Sequence, residues 1–393
     1  MKIGLELEGH LIDELGTLSN KAPEVIADQR NNGDILPELS KTMWEVIAPP
    51  ESDLGNLRNS FKERLIMLNG IANDYGLRAV PVSSLHNESK VESRDYERPR
   101  GMRKRIVLKN EKRDLEHHLT GTHVHVDRIE GDERAYNQFL LMQAMDPAFS
   151  LMSSSPFFHG KNSLKDYRVE IYRNKVFEDF PKQGQLLDYP VSLESAFERQ
   201  RECYTDFTKV LKENELDTDG LDELNCIWGP LRLTGFGTIE SRAADSNKLS
   251  NVIALGALYQ GISKYVEGDN LKVVIDDGEN DVSQMFVPKN GKVIIPSYRQ
   301  LKNFEKIGVE EGLSNPLLRN YLSNMVDTCS NGLEDKTYLE PFKQMIKEER
   351  NFSDEIVDYA KSTGLEKQDR INGSAAKILR NYIANAYEKD LLN

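Results

Sequence analysis

The segment Ile3-Gly4-Leu5-Glu6-Leu7-Glu8-Gly9-His10-Leu11 alternates with period two. Successive side chains of a β-strand point to opposite faces. Lys2, Gly4, Glu6, Glu8 and His10 therefore share one face, and Ile3, Leu5, Leu7, Gly9 and Leu11 share the other. Two carboxylates on one strand face lie roughly 7 Å apart and repel unless a cation stands between them.

The pattern recurs downstream. Thr122–Arg128 alternates in the same way and carries His123-x-His125. Ile227–Asp245 reads as a hairpin, with Gly235 and Gly237 in its turn and Glu240-x-Arg242 in its returning strand. A short strand over Thr42–Ile47 carries Glu45 and is expected to end at Pro49-Pro50. Residues 77–82, 272–276 and 291–296 read as further strands, and residues 20–40 as a loop.

Leu54, Leu57, Phe61, Leu65, Leu68 and Ala72 recur at helical spacing, with Ser52 or Asp53 as N-cap. Helices are expected over 133–152, kinked at Pro147, and over 192–214 and 247–267. From residue 298 onward the pattern is helical. The fold class that follows is α+β: a mainly antiparallel sheet with one polar face, helices on the other side, and a helical C-terminal region. The expected division is a core over 1–295, with 296–393 packed on it.

The chain has 393 residues, 38% apolar and 29% charged, with a net charge of −13. This is a globular composition whose acidity argues against a nucleic-acid partner. Cys203, Cys226 and Cys329 form no close pair, so neither a disulfide framework nor a zinc ribbon is indicated, and a reducing, cytoplasmic compartment is expected. The acidic start does not read as a signal peptide, and no run of about 18 apolar residues suggests a membrane span. Trp44, Trp228 and the methionines Met142, Met145 and Met152 read as packing residues. Homo-oligomer formation is left open.

The residue types on the polar face suggest chemistry beyond a solvated surface, which remains the alternative. Glu6, Glu8, Glu45 and Glu240 could hold Mg²⁺, which takes oxygen ligands and often sits between carboxylates and substrate phosphates. Imidazole is a poorer Mg²⁺ ligand, so one of His123 and His125 could instead position a substrate. A metal-dependent hydrolase built on His123 and His125 is a second reading, for which His117 or His118 could supply a third ligand. Arginines are the other signal. Arg94, Arg98, Arg100, Arg103 and Arg105 crowd a polar segment over 83–105, and Arg168, Arg173, Arg232 and Arg242 follow. Guanidinium binds phosphate bidentately. No P-loop or dinucleotide-binding glycine motif occurs.

Taken in order, several segments resemble the glutamate–cysteine ligase type 2 family of carboxylate–amine ligases, which is related in fold to glutamine synthetase. They are Gly4-Leu5-Glu6-Leu7-Glu8, Glu38-Leu39-Ser40 through Trp44-Glu45-Val46, Asp95-Tyr96-Glu97-Arg98, and Gly121-Thr122-His123-Val124-His125-Val126. Then come Ser153-Ser154-Ser155-Pro156-Phe157-Phe158-His159-Gly160 with Tyr167-Arg168, Trp228-Gly229-Pro230-Leu231-Arg232, and Phe236-Gly237-Thr238-Ile239-Glu240-Ser241-Arg242. The resemblance covers residues 1 to about 250. It implies ATP and Mg²⁺ or Mn²⁺ as cofactors, with a small carboxylate, glutamate by family, and an amine as substrates. It implies Glu6, Glu8, Glu45 and Glu240 as metal-side carboxylates beside His125 or His123. Arg98, Arg168, Arg232 and His123 would contact nucleotide, and Arg232, Arg242 and Glu240 would serve catalysis. A guanidino kinase-like phosphotransferase on the same fold is the nearest rival, and a non-catalytic binding protein of this fold is another.

Overall fold

The structure, a computed structural model, describes residues 1–94, 108, 110–224, 226–269, 271–278, 280–365 and 371–393. The alternating segments form one antiparallel sheet. Its strands are β1 (Ile3–Asp13), β2 (Ile35–Pro37), β3 (Met43–Glu51), β4 (Leu77–Val80), β5 (Gly121–Asp127), β6 (Leu231–Leu233) and β7 (Thr238–Asp245). The order is β2-β3-β1-β5-β7-β6, and β4 pairs with the far end of β1. The most regular alternation thus occupies the sheet centre, where both strand edges are paired. A separate parallel pair joins β8 (Lys272–Ile275) and β9 (Lys292–Ile295).

Leu5, Leu7, Val46, Val124, Val126 and Ile239 are buried on the apolar face. The helix Leu249–Asp269 lies against it, and Gly256 provides the clearance for Ile3 and Leu5. The helix Leu54–Asp74 buries Leu57, Phe61, Leu65 and Leu68. Each large apolar side chain so buried contributes roughly 1.5–3 kcal/mol before entropy is counted. Its N-cap is Asp53, whose side chain accepts from the Asn56 backbone N–H at 2.7 Å. Gly9 is a glycine within β1 because the Trp44 indole lies where a Cβ would be, so Trp44 is packing. The principal apolar cluster runs from Ile3 to Leu391, and so draws the C-terminal helices into the same core as the sheet.

Three local expectations need correction. Residues 20–40 are not all loop: they contain the helix Ala22–Ile26 and β2. β3 does not stop at Pro49-Pro50 but runs to Glu51. β2 pairs only with Trp44–Val46, so the prolines lie beyond it, and the β1–β3 register shifts beside them. The helix expected over 133–152 is divided into Asp132–Ala144, a 3₁₀ turn at Asp146–Ala148, and Phe149–Met152. Proline has no N–H for the helical ladder and clashes with the preceding turn, so it breaks the segment instead of bending it. No described helix is long and apolar enough to cross a membrane.

A buried carboxylate–imidazole–guanidinium site

Cross-strand register places the polar residues next to one another. Glu8 faces Glu45, Glu6 faces His123, His125 faces Glu240, and Arg232 faces Glu240. A solvated strand face would leave these side chains in water. Here Glu8 and Glu45 are each only 9% exposed, His123 3%, and Glu240 0%. Burying so many ionisable groups is costly unless each is paired or bonded.

Glu240 is the most tightly held. The Arg232 Nε–H and the Arg242 Nη1–H each donate to one of its oxygens. Burial alone would raise its pKa, but the Arg242 and Arg232 charges hold it at about 2. Glu6 accepts from both histidines: His123 Nδ1 lies 2.7 Å from Oε2, and His125 Nε2 lies 3.0 Å from Oε1. Burial opposes ionisation of Glu6, but the His123 and His125 hydrogen bonds outweigh it and keep its carboxyl well below the usual range. His123 is pushed down to about 4 by burial and by Arg242, against the pull of Glu6. Burial also acts to lower His125, yet the hydrogen bond to Glu6 and the Glu240 charge raise it. A hydrogen bond of 3.2 Å between Thr238 Oγ1 and His125 Nδ1 fixes that ring from behind.

Glu8 and Glu45 behave differently. Burial, then the nearby Glu38 charge, push Glu8 up to about 8, although the Gly121 backbone N–H donates to it at 2.6 Å. Burial and the charges of Glu6, Glu38 and Glu8 push Glu45 well above its ordinary value. Arg168 and Arg242 act on Glu8, and Arg242 on Glu45, without offsetting this, whereas Glu240 is bonded directly to two guanidiniums.

Two three-residue groups present ligand atoms within 4.8 Å of one another: Glu6, His123 and Glu240, and Glu8, Glu45 and His123. His123 belongs to both. The donors are carboxylate oxygens with one shared imidazole, a set suited to a hard divalent cation more than to a thiophilic one. The raised Glu8 and Glu45 carboxyls supply the place where such a charge would relieve most strain.

Arg168 comes from the helix Tyr167–Ile171. Its N-cap, Asp166, is gripped by Ser153, Ser155 and the Val169 backbone N–H, so the serine-rich motif serves to aim this helix. The Arg168 guanidinium donates to the carbonyls of Ala243 (3.0 Å) and Arg242 (3.2 Å). A methyl group on Gly121 would collide with it, which explains the glycine.

Glu6, Glu8, Glu45, His123, Arg168, Arg232 and Arg242 line one cavity of about 230 Å³. Of the remaining expected site residues, His125 and Glu240 belong to the network just described, and Arg98 lies outside the described residues, as do Arg100, Arg103 and Arg105. Arg173 does not join the site. It is buried against Asp146 at 2.7 Å and Glu305 at 2.6 Å, tying the core to a C-terminal helix. His117 and His118 sit in the turn after the helix Asn110–Glu116, and His118 Nδ1 lies 2.6 Å from His159 Nε2. Neither enters a three-residue ligand group among the described residues. All three cysteines are buried, and no disulfide joins them.

Four polar or aromatic cavity-lining residues were not singled out for this role from the sequence: Glu38, Glu116, Tyr172 and Trp228. Glu38 lay in a recognised motif, and Trp228 packs on Phe177 and Phe207 besides reaching the cavity. Tyr172 had no usable signal. It opens a π-helical turn, Tyr172–Val176, and a π turn shifts the helical register on which periodicity arguments depend.

Known proteins resemble this chain in sequence and in fold. The family described as "Glutamate-cysteine ligase family 2" matches residues 2–293. A Gloeobacter violaceus protein named "Putative glutamate--cysteine ligase 2" is 26% identical over 270 residues, covering 67% of this chain and 68% of the relative. A protein of the same name from Roseiflexus castenholzii is 29% identical over 236 residues, covering 58% of this chain and 56% of the relative. The match therefore spans little more than half the length of some relatives. Among solved structures, a bifunctional glutathione synthetase from Pasteurella multocida superposes with a TM-score of 0.60 at 10% identity, covering 100% of this chain and 52% of that one. A glutamate–cysteine ligase from Francisella tularensis, in complex with AMP, superposes with a TM-score of 0.57 at 11% identity, covering 100% and 94%. At such identities these two likenesses concern the fold.

Proposed function

Since this chain belongs to glutamate–cysteine ligase family 2, we propose that it is an ATP-dependent carboxylate–amine ligase. Its substrates would be a small carboxylic acid, with glutamate's γ-carboxylate the family default, and an amine. The observation that carries this reading is the pair of ligand groups sharing His123, set beside the Arg232–Glu240–Arg242 network.

A carboxylate does not condense with an amine at neutral pH, because its oxygen is a poor leaving group. Phosphorylation to an acyl phosphate removes that obstacle, and such transfer depends on positioning and charge neutralisation more than on protein nucleophiles. Glu6, Glu8, Glu45, Glu240 and His123 would hold Mg²⁺ or Mn²⁺, with His125 braced beside them. These ions supply charge neutralisation at the phosphates.

The remaining work falls to the chain's own groups. Glu240 pins Arg232 and Arg242 so that their remaining N–H groups are oriented before any phosphate arrives, which avoids reorganisation during transfer. Burial of the site excludes water that would otherwise hydrolyse an acyl phosphate. A nearby carboxylate of the site would accept the proton that the attacking amine must lose. A hydrolase built on His123 and His125 draws no support from His117 or His118, since neither joins their ligand groups.

The test is phosphate release with ATP and Mg²⁺ across a matrix of amino-acid pairs. Release that requires both an acid and an amine is expected. Turnover without ATP, or a stable phosphorylated product in the absence of amine, would overturn the proposal in favour of a hydrolase or a phosphotransferase.

A further inference from the structure

Tyr172 stands in the cavity wall, at the first position of the π-helical turn Tyr172–Val176. The charged groups that act on its hydroxyl are Arg242, Glu116, Arg168 and Glu8, and all four line the same cavity. The hydroxyl therefore lies on the cavity side of the ring. It makes no hydrogen bond to another described residue, and it is not sealed off among side chains. The ring, by contrast, is held. Phe177 meets it edge-on with centroids 5.3 Å apart, and the Arg168 guanidinium carbon lies 5.8 Å from its centre. The next residue, Arg173, is locked to Asp146 and Glu305. A Cβ at Gly184 would come within 2.8 Å of the Phe177 ring and 3.2 Å of the Tyr172 carbonyl, so glycine there leaves the turn its room.

We infer that the Tyr172 hydroxyl contacts substrate, donating a hydrogen bond to a negatively charged oxygen that Arg242 also attracts. The inference rests on the ligase reading for the molecules that carry such an oxygen: a carboxylate of the acid substrate or a phosphoryl group of the nucleotide. Burial raises the phenol well above its ordinary value, with Arg242 and Arg168 drawing it down and Glu116 and Glu8 pushing it up. The group therefore keeps its proton at neutral pH and has it to donate. Arg242 is the charge that acts on it most strongly, and Tyr172 is in turn among the groups that act on Arg242. An anionic oxygen drawn to that guanidinium thus meets a second donor beside it.

Packing does not account for the hydroxyl. Phenylalanine would offer Phe177 and Arg168 the same ring. Polar groups withdrawn from bulk water are kept bonded as a rule, and the described residues supply this one with no partner. A donor whose ring is fixed before substrate arrives needs no reorganisation during the reaction, which is the condition under which such groups act most strongly on developing charge. The π turn beneath it is itself a feature that recurs at functional sites.

The experiment uses Tyr172→Phe, which removes the hydroxyl and keeps the ring. Isothermal titration calorimetry of wild type and variant with Mg²⁺·ATP, L-glutamate and glutarate, each alone, is paired with initial-rate kinetics in which ATP and acid are varied separately. Melting temperature and Mn²⁺ affinity without nucleotide report on the structure and should not change. Affinity for ATP or for the acids is expected to fall roughly 10- to 100-fold, the range for a hydrogen bond to a charged group. A fall confined to the acids assigns the oxygen to a carboxylate, and one confined to ATP assigns it to a phosphoryl group. Unchanged affinities with kcat lowered about 10²-fold or more assign it to an oxygen that gains charge during transfer. Wild-type affinities together with wild-type turnover would overturn the inference, as would failure of wild type to bind any of these ligands. A loss accompanied by a lower melting temperature and weaker Mn²⁺ binding would also overturn it, since it would mark a structural role. If wild type binds a ligand that the variant binds weakly but shows no ATP-dependent phosphate release, the ligase reading falls while the Tyr172 contact stands.

Discussion

Glu8 on β1 and Glu45 on β3 are direct cross-strand partners, and both carboxyls are buried. Like charges in that position are destabilising. The protein tolerates the pair because burial, then the neighbouring acids Glu38 for Glu8 and Glu6, Glu38 and Glu8 for Glu45, favour their protonated forms in the free protein.

Glu8→Gln should therefore separate stability from activity. The free protein is expected to melt at or slightly above the wild-type temperature, because a buried carboxyl whose ionisation is opposed there is replaced by an amide that cannot ionise. Mg²⁺·ATP should raise the melting temperature of wild type, since a ligand that binds only the folded state stabilises it. That shift should shrink in the variant, and phosphate release should fall to a small fraction. Retention of both the shift and the turnover would show that β1 is merely a polar strand.

Arg242→Lys should impair turnover by about 10²-fold or more while leaving the fold intact. Lysine keeps a charge beside Glu240 but cannot donate to it and to a phosphate oxygen with fixed geometry. Steady-state kinetics paired with circular dichroism would check this, and wild-type kinetics would remove Arg242 from the mechanism.

Thr238→Val tests the brace behind His125. The change conserves shape but deletes the hydroxyl that bonds Nδ1 at 3.2 Å and Thr234 Oγ1 at 2.7 Å. Freed from that partner, the ring is no longer restricted to one orientation. Mn²⁺ affinity, read by electron paramagnetic resonance without nucleotide, should weaken roughly 10- to 100-fold, as for other lost ligand-orienting contacts. Unchanged affinity would mean that His125 is held by Glu6 alone.

The other histidines predict an acid limb in stability. His118 and His86 are both pushed down to about 3, His118 chiefly by burial and then by His159 and His117, His86 by burial and then Arg380. Their unfolded counterparts protonate near 6.5. Between about pH 6.5 and 3 the unfolded chain therefore binds more protons, and stability falls as pH falls through that window. It is fully present above about 6.5. His118→Gln should flatten this limb in urea titrations from pH 7 to pH 4, and an unchanged slope would show that the His118–His159 pair is not buried in solution.

Period-two alternation in β1, β5 and β7 was enough to determine an antiparallel sheet with one polar face, because strand geometry leaves no choice about which face a side chain takes. The same arithmetic located Glu6, Glu8, His123, His125, Glu240 and Arg242, and Glu45 and Arg232 followed from neighbouring segments that resemble a known family. Register was beyond it. That Glu8 meets Glu45, and that His123 is shared between two ligand groups, depends on how strands more than a hundred residues apart slide against each other. The fates of the arginines were equally closed to local reading. Arg168 and Arg173 lie five residues apart, yet one faces the cavity and the other is locked to Asp146 and Glu305, because a π turn begins between them. Burial was decided last of all. The same polar alternation describes a wet edge or a dry catalytic face, and only the helices and segments folded over this sheet, Tyr172 and Glu116 among them, exclude the water that would otherwise make these charges ordinary.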